Sequence, residues 1–335
     1  MKKTIVIAEA GVNHNGSIVL AKKLIDGAAI AGADYIKFQF FNTNNLTSKD
    51  TNKAEYQKRN EGRFSSQYEM LKKYELSLSD HHKLKKYAIK KNIKFLTSAF
   101  DVDGLKEIKK LKLDFIKIPS GEITNVPYLR KVGKFNMPTI LSTGMSTLNE
   151  IQQAIKILLK SGLAKKKLTV LQCTSEYPTN LSASNMRVLI TFKNKLNVNV
   201  GYSDHTLGFE SSIIAVALGA SIIEKHITTN KKLNGPDHIA SMDLKDFKTF
   251  ISMIRNAETA LGDLEKKPSY NERKNIKTSR KKILAKKIIK KGQKFSDKNL
   301  ITLRANKGIP SIQWDSIIGK KSKKNYKPFE PILSA

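Results

Sequence analysis

A short apolar run followed by a helical stretch recurs eight times before residue 265. The runs are IVIAEAG (5–11), ADYIKFQF (33–40), IKFLTSAFD (93–101), DFIKIPSGE (114–122), PTILSTGM (138–145), LTVLQCTSEYP (168–178), NVGYSDHT (199–206) and SIIEKHITT (221–229). Each core of Val, Ile and Phe is too short for a helix and is bounded by turn residues, so each reads as a strand. The stretches between them read as helices, among them 17–31, 103–111, 147–160, 208–218 and 243–262. After the second strand comes a long polar insertion, with a helix opened by Ser79-Asp80 and running to Asn92. Strands that alternate with helices pair in parallel. Eight such units in about 260 residues match a closed (β/α)₈ barrel. The alternative, an open doubly wound sheet, would carry a glycine-rich phosphate loop after its first strand. Here Gly11 and Gly16 are separated by Val12-Asn13-His14-Asn15, which is not that loop.

The barrel reading assigns residues 1–265 to one domain. Residues 266–279 are polar and lysine-rich and read as an exposed linker with a helical turn. Residues 280–335 form a small second domain of short β-like runs, with turns at Lys291-Gly292 and Lys307-Gly308. A domain this small is marginal alone and is expected to dock on something. The formal net charge is +32, which raises nucleic acid or an acidic membrane as partners. Only eight of the 61 basic residues are Arg, at 59, 63, 130, 187, 255, 273, 280 and 304. Base readers favour Arg for its two-pronged contacts, so a lysine excess on every helix reads as solvated faces. No nucleic-acid or membrane partner is expected. No stretch approaches the ~18 apolar residues of a membrane span. The start, Met1-Lys2-Lys3-Thr4, lacks the apolar core of a leader, and the single Cys173 suits a reducing compartment. A cytoplasmic location is the expectation.

In such a barrel the chemistry sits at the C-terminal ends of the strands. Those ends carry Glu9, Lys37 and Gln39, Ser98, Lys117 with Ser120 and Glu122, Ser142 with Thr143, Ser175 with Tyr177, Ser203 to His205, and Glu224 to His226. Lysines at 37 and 117 are costly to bury without an anion. With the converging hydroxyls they describe a phosphate or carboxylate pocket, or else they are structural partners of Glu9 or Glu122. His205 and His226 end neighbouring strands; they share a divalent metal or are ordinary hydrogen-bonded histidines. Asp237 and His238 lie in a Gly-Pro-Asp-His turn that faces substrate or is a surface turn. His14 orients its loop or touches a ligand. His81 and His82 read as solvated on an exposed helix, and Cys173 reads as packing within its strand.

The ordered series IAEAGVNHNG, IKFQ, IKIPSGE, LSTGM, QCTSEYP, GYSDHT, EKHIT and GPDH resembles the motifs of the N-acetylneuraminate (sialic acid) synthase family, which includes legionaminic and pseudaminic acid synthases. The resemblance covers the whole chain. It implies a TIM barrel with a small C-terminal antifreeze-like (SAF) β-rich domain. It implies a metal-dependent enzyme that condenses phosphoenolpyruvate with an N-acetylmannosamine-type sugar into a nine-carbon 2-keto acid and phosphate. By motif, His205 and His226 would bind Mn²⁺ or Mg²⁺. Lys37, Gln39, Ser98, Lys117, Ser120, Ser142, Ser175 and Ser203 would hold phosphoenolpyruvate. Glu9, Glu122, Tyr177 and Asp237 would line the reacting centre and the sugar, and one of the two glutamates would handle the water. A domain-swapped homodimer is implied, with Arg304 of one subunit serving the other's site. Three departures from the family pattern bear on sugar choice: Ala305 for Pro, TSAFD in the third strand, and Ser175 for Asn. The alternative activity is another phosphoenolpyruvate-dependent 3-deoxy-keto-acid synthase.

Overall fold

The computed structural model describes residues 3–61 and 66–334. Met1 and Lys2 of the N-terminal stretch, and Arg63, lie outside them. The eight expected strands form as β1 (Ile5–Gly11), β2 (Tyr35–Phe40), β3 (Lys94–Ala99), β4 (Ile116–Ile118), β5 (Thr139–Ser142), β6 (Leu168–Cys173), β7 (Asn199–Asp204) and β8 (Ile222–Thr228). They pair in parallel in the order β3-β2-β1-β8-β7-β6-β5-β4, and β3 lies beside β4 at the seam. This is the (β/α)₈ barrel, nearly closed. The strands are buried on both faces, as parallel strands under a ring of helices must be.

Local sequence sets the helices around it. Thr147 caps Leu148–Lys160 and Glu150 reaches back to the Thr147 amide. Val126–Phe135 follows Asn125 as cap, with Pro127 in the first turn. The helix Leu78–Lys90 starts one residue earlier than Ser79-Asp80 would give. Ser77 is its cap, and Asp80 closes the box by accepting from the Ser77 amide.

On that helix the solvated reading of His81 is corrected. His81, Leu84 and Ala88 form the buried stripe at helical spacing. Nδ1 of His81 lies 3.0 Å from the Ser77 carbonyl, and the ring packs edge-on against Phe40 and Phe95. Burial pulls its imidazole down from 6.5 to about 4. The unfolded chain therefore binds the proton first, and stability falls as pH drops from 6.5 towards 4. His81→Leu is expected to lose about 2–3 kcal/mol less stability than the parent between pH 7.5 and 4.5 in urea unfolding. An unchanged pH dependence would return the ring to solvent.

The chain divides into two compact units, one ending at Gly262 and the other beginning at Asp263. In the second unit the stretch expected as a linker with one helical turn holds a ten-residue helix, Tyr270–Ser279, capped by Ser269 and Glu272. β9 (Lys281–Ala285) and β10 (Leu300–Arg304) pair antiparallel. Gly292 and Gly308 adopt positive φ at the expected turns. Ile283, Ile289, Phe295, Leu300, Tyr326 and Ile332 make this unit's own core. No helix among the described residues is long and apolar enough to cross a membrane.

Candidate active site

At the C-terminal ends of the barrel strands lies a cavity of about 610 Å³. Period-two alternation decides what faces it. Along β8, Glu224 and His226 line the cavity while Lys225 does not; along β2, Lys37 and Gln39 do while Phe38 does not. Register then brings the groups together: Glu9 of β1 is paired with Lys37 on one side and His226 on the other. Gly11 at the end of β1 sits at a register shift with φ +51°. A Cβ there would meet Glu9, His226 and Gln39 at 3.3–3.4 Å, so glycine lets these three side chains approach.

The floor is a quartet of buried charges. Lys37, Lys117, Glu9 and Glu224 are 4%, 3%, 1% and 4% exposed, so none is screened by water. Lys37 Nζ lies 2.6 Å from Glu9 and 3.6 Å from Glu224; Lys117 Nζ lies 3.4 Å from Glu224. Burial pushes the Glu9 carboxyl up to about 7 against the pull of Lys37. Burial acts on Glu224 in the same sense, but Lys117 and Lys37 together outweigh it and hold Glu224 at about 2. Glu224 is the anchor that keeps two ammonium groups in the lumen, and Glu9 is the carboxyl that titrates near neutrality.

Hydroxyls ring the quartet. Lys117 donates to Ser142 Oγ at 2.8 Å, and Ser203 donates to Glu224 at 3.0 Å. The Gly144 amide donates to Ser120 Oγ at 3.0 Å. A Cβ on Gly144 would lie 2.1 Å from Ser175 Oγ, so this turn needs glycine to let Ser175 approach. Gln39 donates to Glu9 at 3.4 Å. Ser98 Oγ is buried with no hydrogen-bond partner, an opening for a polar ligand. Two lysines and five serines around one space suit an anion with several oxygens.

Beside this floor stand the two histidines. Their ring centroids are 5.3 Å apart. Nδ1 of His205 lies 2.6 Å from the Thr174 carbonyl, which makes it the protonated nitrogen and leaves the lone pair on Nε2. His226 Nδ1 is buried without a hydrogen-bond partner, 3.9 Å from Asp237. Burial, together with His205 and Lys37, pulls the His226 imidazole well down, so it is neutral. Two imidazole donors with a carboxylate nearby fit a divalent cation. Among the described residues no group of three or more His, Cys, Asp or Glu is arranged to hold one, so water or a bound oxygen would complete the shell. Tyr177 covers the pair, its ring 4.1 Å from His205 and 5.6 Å from His226. Burial pushes Asp237 up to about 6, with the charge of His205 opposing. The loop bearing Asp237 is pinned by His238, whose ring nitrogens meet Thr228 and Asn15. His14 takes the Gly16 amide on Nδ1 and holds its own loop.

The structure thus gathers Glu9, Lys37, Gln39, Ser98, Lys117, Ser120, Ser142, Ser175, Tyr177, Ser203, His205, His226 and Asp237 around one cavity. Glu122 follows Ser120 and Gly121, which line the cavity, without itself being among the lining residues. It ends a 3₁₀ turn, Ser120–Glu122, and its carboxylate accepts from Asn125 at 2.6 Å. Arg304 ends β10 in the second unit, exposed. Cys173 is buried in β6 as expected, yet it also lines the cavity, 3.9 Å from His205 Nδ1. Sequence reasoning noted Glu224 at a strand end without assigning it a role; its place two residues before His226 was the available signal. It missed the roof entirely. The insertion after β2 carries the helix Glu55–Glu61, which lays Tyr56 on Tyr177 at 4.8 Å and brings Arg59 to the cavity. Phe41, Met70 and Leu71 add an apolar wall.

Comparison with known proteins agrees with this architecture. The profile of the NeuB family matches residues 24–266. The chain is 47% identical to an N,N'-diacetyllegionaminic acid synthase of Campylobacter jejuni over 99% of both chains. It is 32% identical to the human N-acetylneuraminate-9-phosphate synthase, covering 94% of this chain and 88% of that one. Among solved structures, an N-acetylneuraminic acid (sialic acid) synthetase from Leptospira borgpetersenii superposes with a TM-score of 0.71 at 33% identity, covering 82% of this chain and 90% of that one.

Proposed function

The chain belongs to the NeuB family, and from that premise we propose that it condenses phosphoenolpyruvate with an N-acetylated amino sugar, giving a nine-carbon 2-keto acid and phosphate. The observation that carries this reading is the floor of two buried lysines and a ring of serines beside a histidine pair, all on strand ends. Such a floor suits a small molecule with both a phosphate and a carboxylate. The sugar would occupy the outer part of the cavity, between Tyr177, Asp237 and the apolar wall of Phe41, Met70 and Leu71. That wall and the 47% identity favour a 2,4-diacetamido-6-deoxy sugar over plain N-acetylmannosamine.

In the reaction, C3 of phosphoenolpyruvate attacks the open-chain aldehyde carbon of the sugar. Water adds to the cation left at C2, and the tetrahedral centre expels phosphate. Lys37 and Lys117 offset the charge on the phosphate and carboxylate, in a site where water does not screen them. The serine hydroxyls fix the orientation, which lowers the entropic part of the barrier. Glu9, near neutrality at about 7, is the glutamate that accepts the proton of the attacking water in this reading. His205 and His226 would hold Mn²⁺ or Mg²⁺, whose Lewis acidity would polarise the aldehyde oxygen. The active form in this reading is a homodimer to which the second unit contributes Arg304.

The test is direct. Purified protein with Mn²⁺, phosphoenolpyruvate and each candidate sugar is assayed for phosphate release and for product mass. The expected result is one mole of phosphate per mole of nine-carbon acid, fastest with the diacetamido sugar. Turnover only with a phosphorylated aldose would move the chain to the other 3-deoxy-keto-acid synthases. Complementation between Arg304→Ala and Lys117→Ala subunits, each strongly impaired alone, is expected to restore activity towards a quarter of the parent's.

A further inference from the structure

We propose that Lys225 and Asp204, a buried ion pair on the outer face of the barrel wall, act as a positioning clamp that sets the spacing of His205 and His226 for a divalent cation. The inference rests on the metal role proposed for those histidines.

Asp204 and Lys225 face each other across the β7–β8 ladder, one step beyond Ser203 and Glu224. The next residue after each is a histidine, His205 just past the end of β7 and His226 within β8. Alternation turns Glu224 and His226 into the lumen and Lys225 out of it. The pair is 1% and 0% exposed. Lys225 Nζ lies 3.0 Å from Asp204 Oδ2 and donates to the carbonyls of Thr206 at 2.5 Å and Gly208 at 3.1 Å. Those three acceptors use all its protons. Asp204 is equally occupied: Oδ1 accepts from the Thr206 amide at 2.9 Å and hydroxyl at 2.7 Å, and Oδ2 from Ser212 at 2.7 Å.

Ile223 and Ile227, two residues either side of Lys225, and Ala215 and Val216, one turn on from Ser212 in the helix Glu210–Ala217, are buried. An apolar pair of the same size would pack there without the desolvation cost. What it could not do is hold the two carbonyls of the turn 204–208. His205 stands in that turn, just past the last ladder pair, where strand pairing no longer fixes it. Its ring is tied on one side to the Thr174 carbonyl beyond β6. The clamp ties its backbone on the other side to β8, which carries His226. Both histidines are thereby referred to one rigid piece of wall.

The experiment titrates the metal-free full-length protein with Mn²⁺ alone, followed by electron paramagnetic resonance, with thermal unfolding measured on the same samples. The variants are Lys225→Met and the double variant Asp204→Asn with Lys225→Met, which leaves no unpaired buried charge. Mn²⁺ affinity at least tenfold weaker in folded variant, with the parent binding normally, supports the clamp. Affinity less than tenfold weaker than the parent's overturns it, whatever happens to the unfolding temperature. If neither variant folds, the pair is a stability element and the clamp is likewise overturned. A parent that binds no Mn²⁺ overturns the metal role itself, and the inference with it.

Discussion

Chelation of divalent ions is expected to abolish condensation, and Mn²⁺ or Mg²⁺ to restore it. The expectation follows from the state of the two imidazoles. Both are buried, and the carboxylate beside them, Asp237, stands 3.9 Å from His226. His205 has its proton committed to the Thr174 carbonyl, and His226 leaves Nδ1 without a hydrogen-bond partner. Leaving such a nitrogen idle costs free energy that a cation would recover. Because two imidazoles are fewer protein ligands than a closed site uses, the ion should also be lost on simple dialysis. His205→Ala and His226→Ala should each lower kcat by about 10³-fold or more, since Lewis-acid assistance is worth several kcal/mol. Added metal should not rescue either. Full turnover in excess chelator would remove the cation from the reaction.

Lys117→Ala should lower kcat/KM for phosphoenolpyruvate by about 30- to 1,000-fold, the equivalent of 2–4 kcal/mol of transition-state binding. The sugar's KM should move by less than threefold. The asymmetry comes from depth: Lys117 sits on β4 between Glu224 and Ser142, below the histidines and away from the roof. Removing it also leaves Glu224 facing Lys37 alone, so the lost charge has no substitute in the quartet. Initial rates over a grid of both substrates separate the two effects. A shift confined to the sugar would mean that the two substrates occupy the cavity the other way round.

How much of this could be read from the chain depended on periodicity. The eight strands were legible because each is a short apolar run of fixed period between turn residues. The lumen was legible for the same reason: once Lys37 faces in, Gln39 must, and His226 carries Glu224 with it. Alternation stops informing where the period breaks. Lys117 is in a strand, but Ser120–Glu122 is a 3₁₀ turn, so strand period does not say which way Glu122 points. His81 failed differently. Its spacing to Leu84 and Ala88 marked a buried face, but the lysines around it suggested a solvated one. Tyr56 and Arg59 had no signal, because their place over the cavity depends on how the insertion folds back rather than on any repeat within it.

That insertion gives the site two halves with different histories open to them. The floor is dispersed over seven strands whose register admits no slippage: a single inserted residue would turn its side chains out of the lumen. The roof is one contiguous stretch between β2 and the helix Leu78–Lys90, and loops accept insertions and exchanges that strands do not. A lineage built this way can be handed a new sugar by recombination of a single short segment while its condensation chemistry is inherited intact. Grafting experiments between relatives should follow the same seam, moving the roof as a block and leaving the barrel alone.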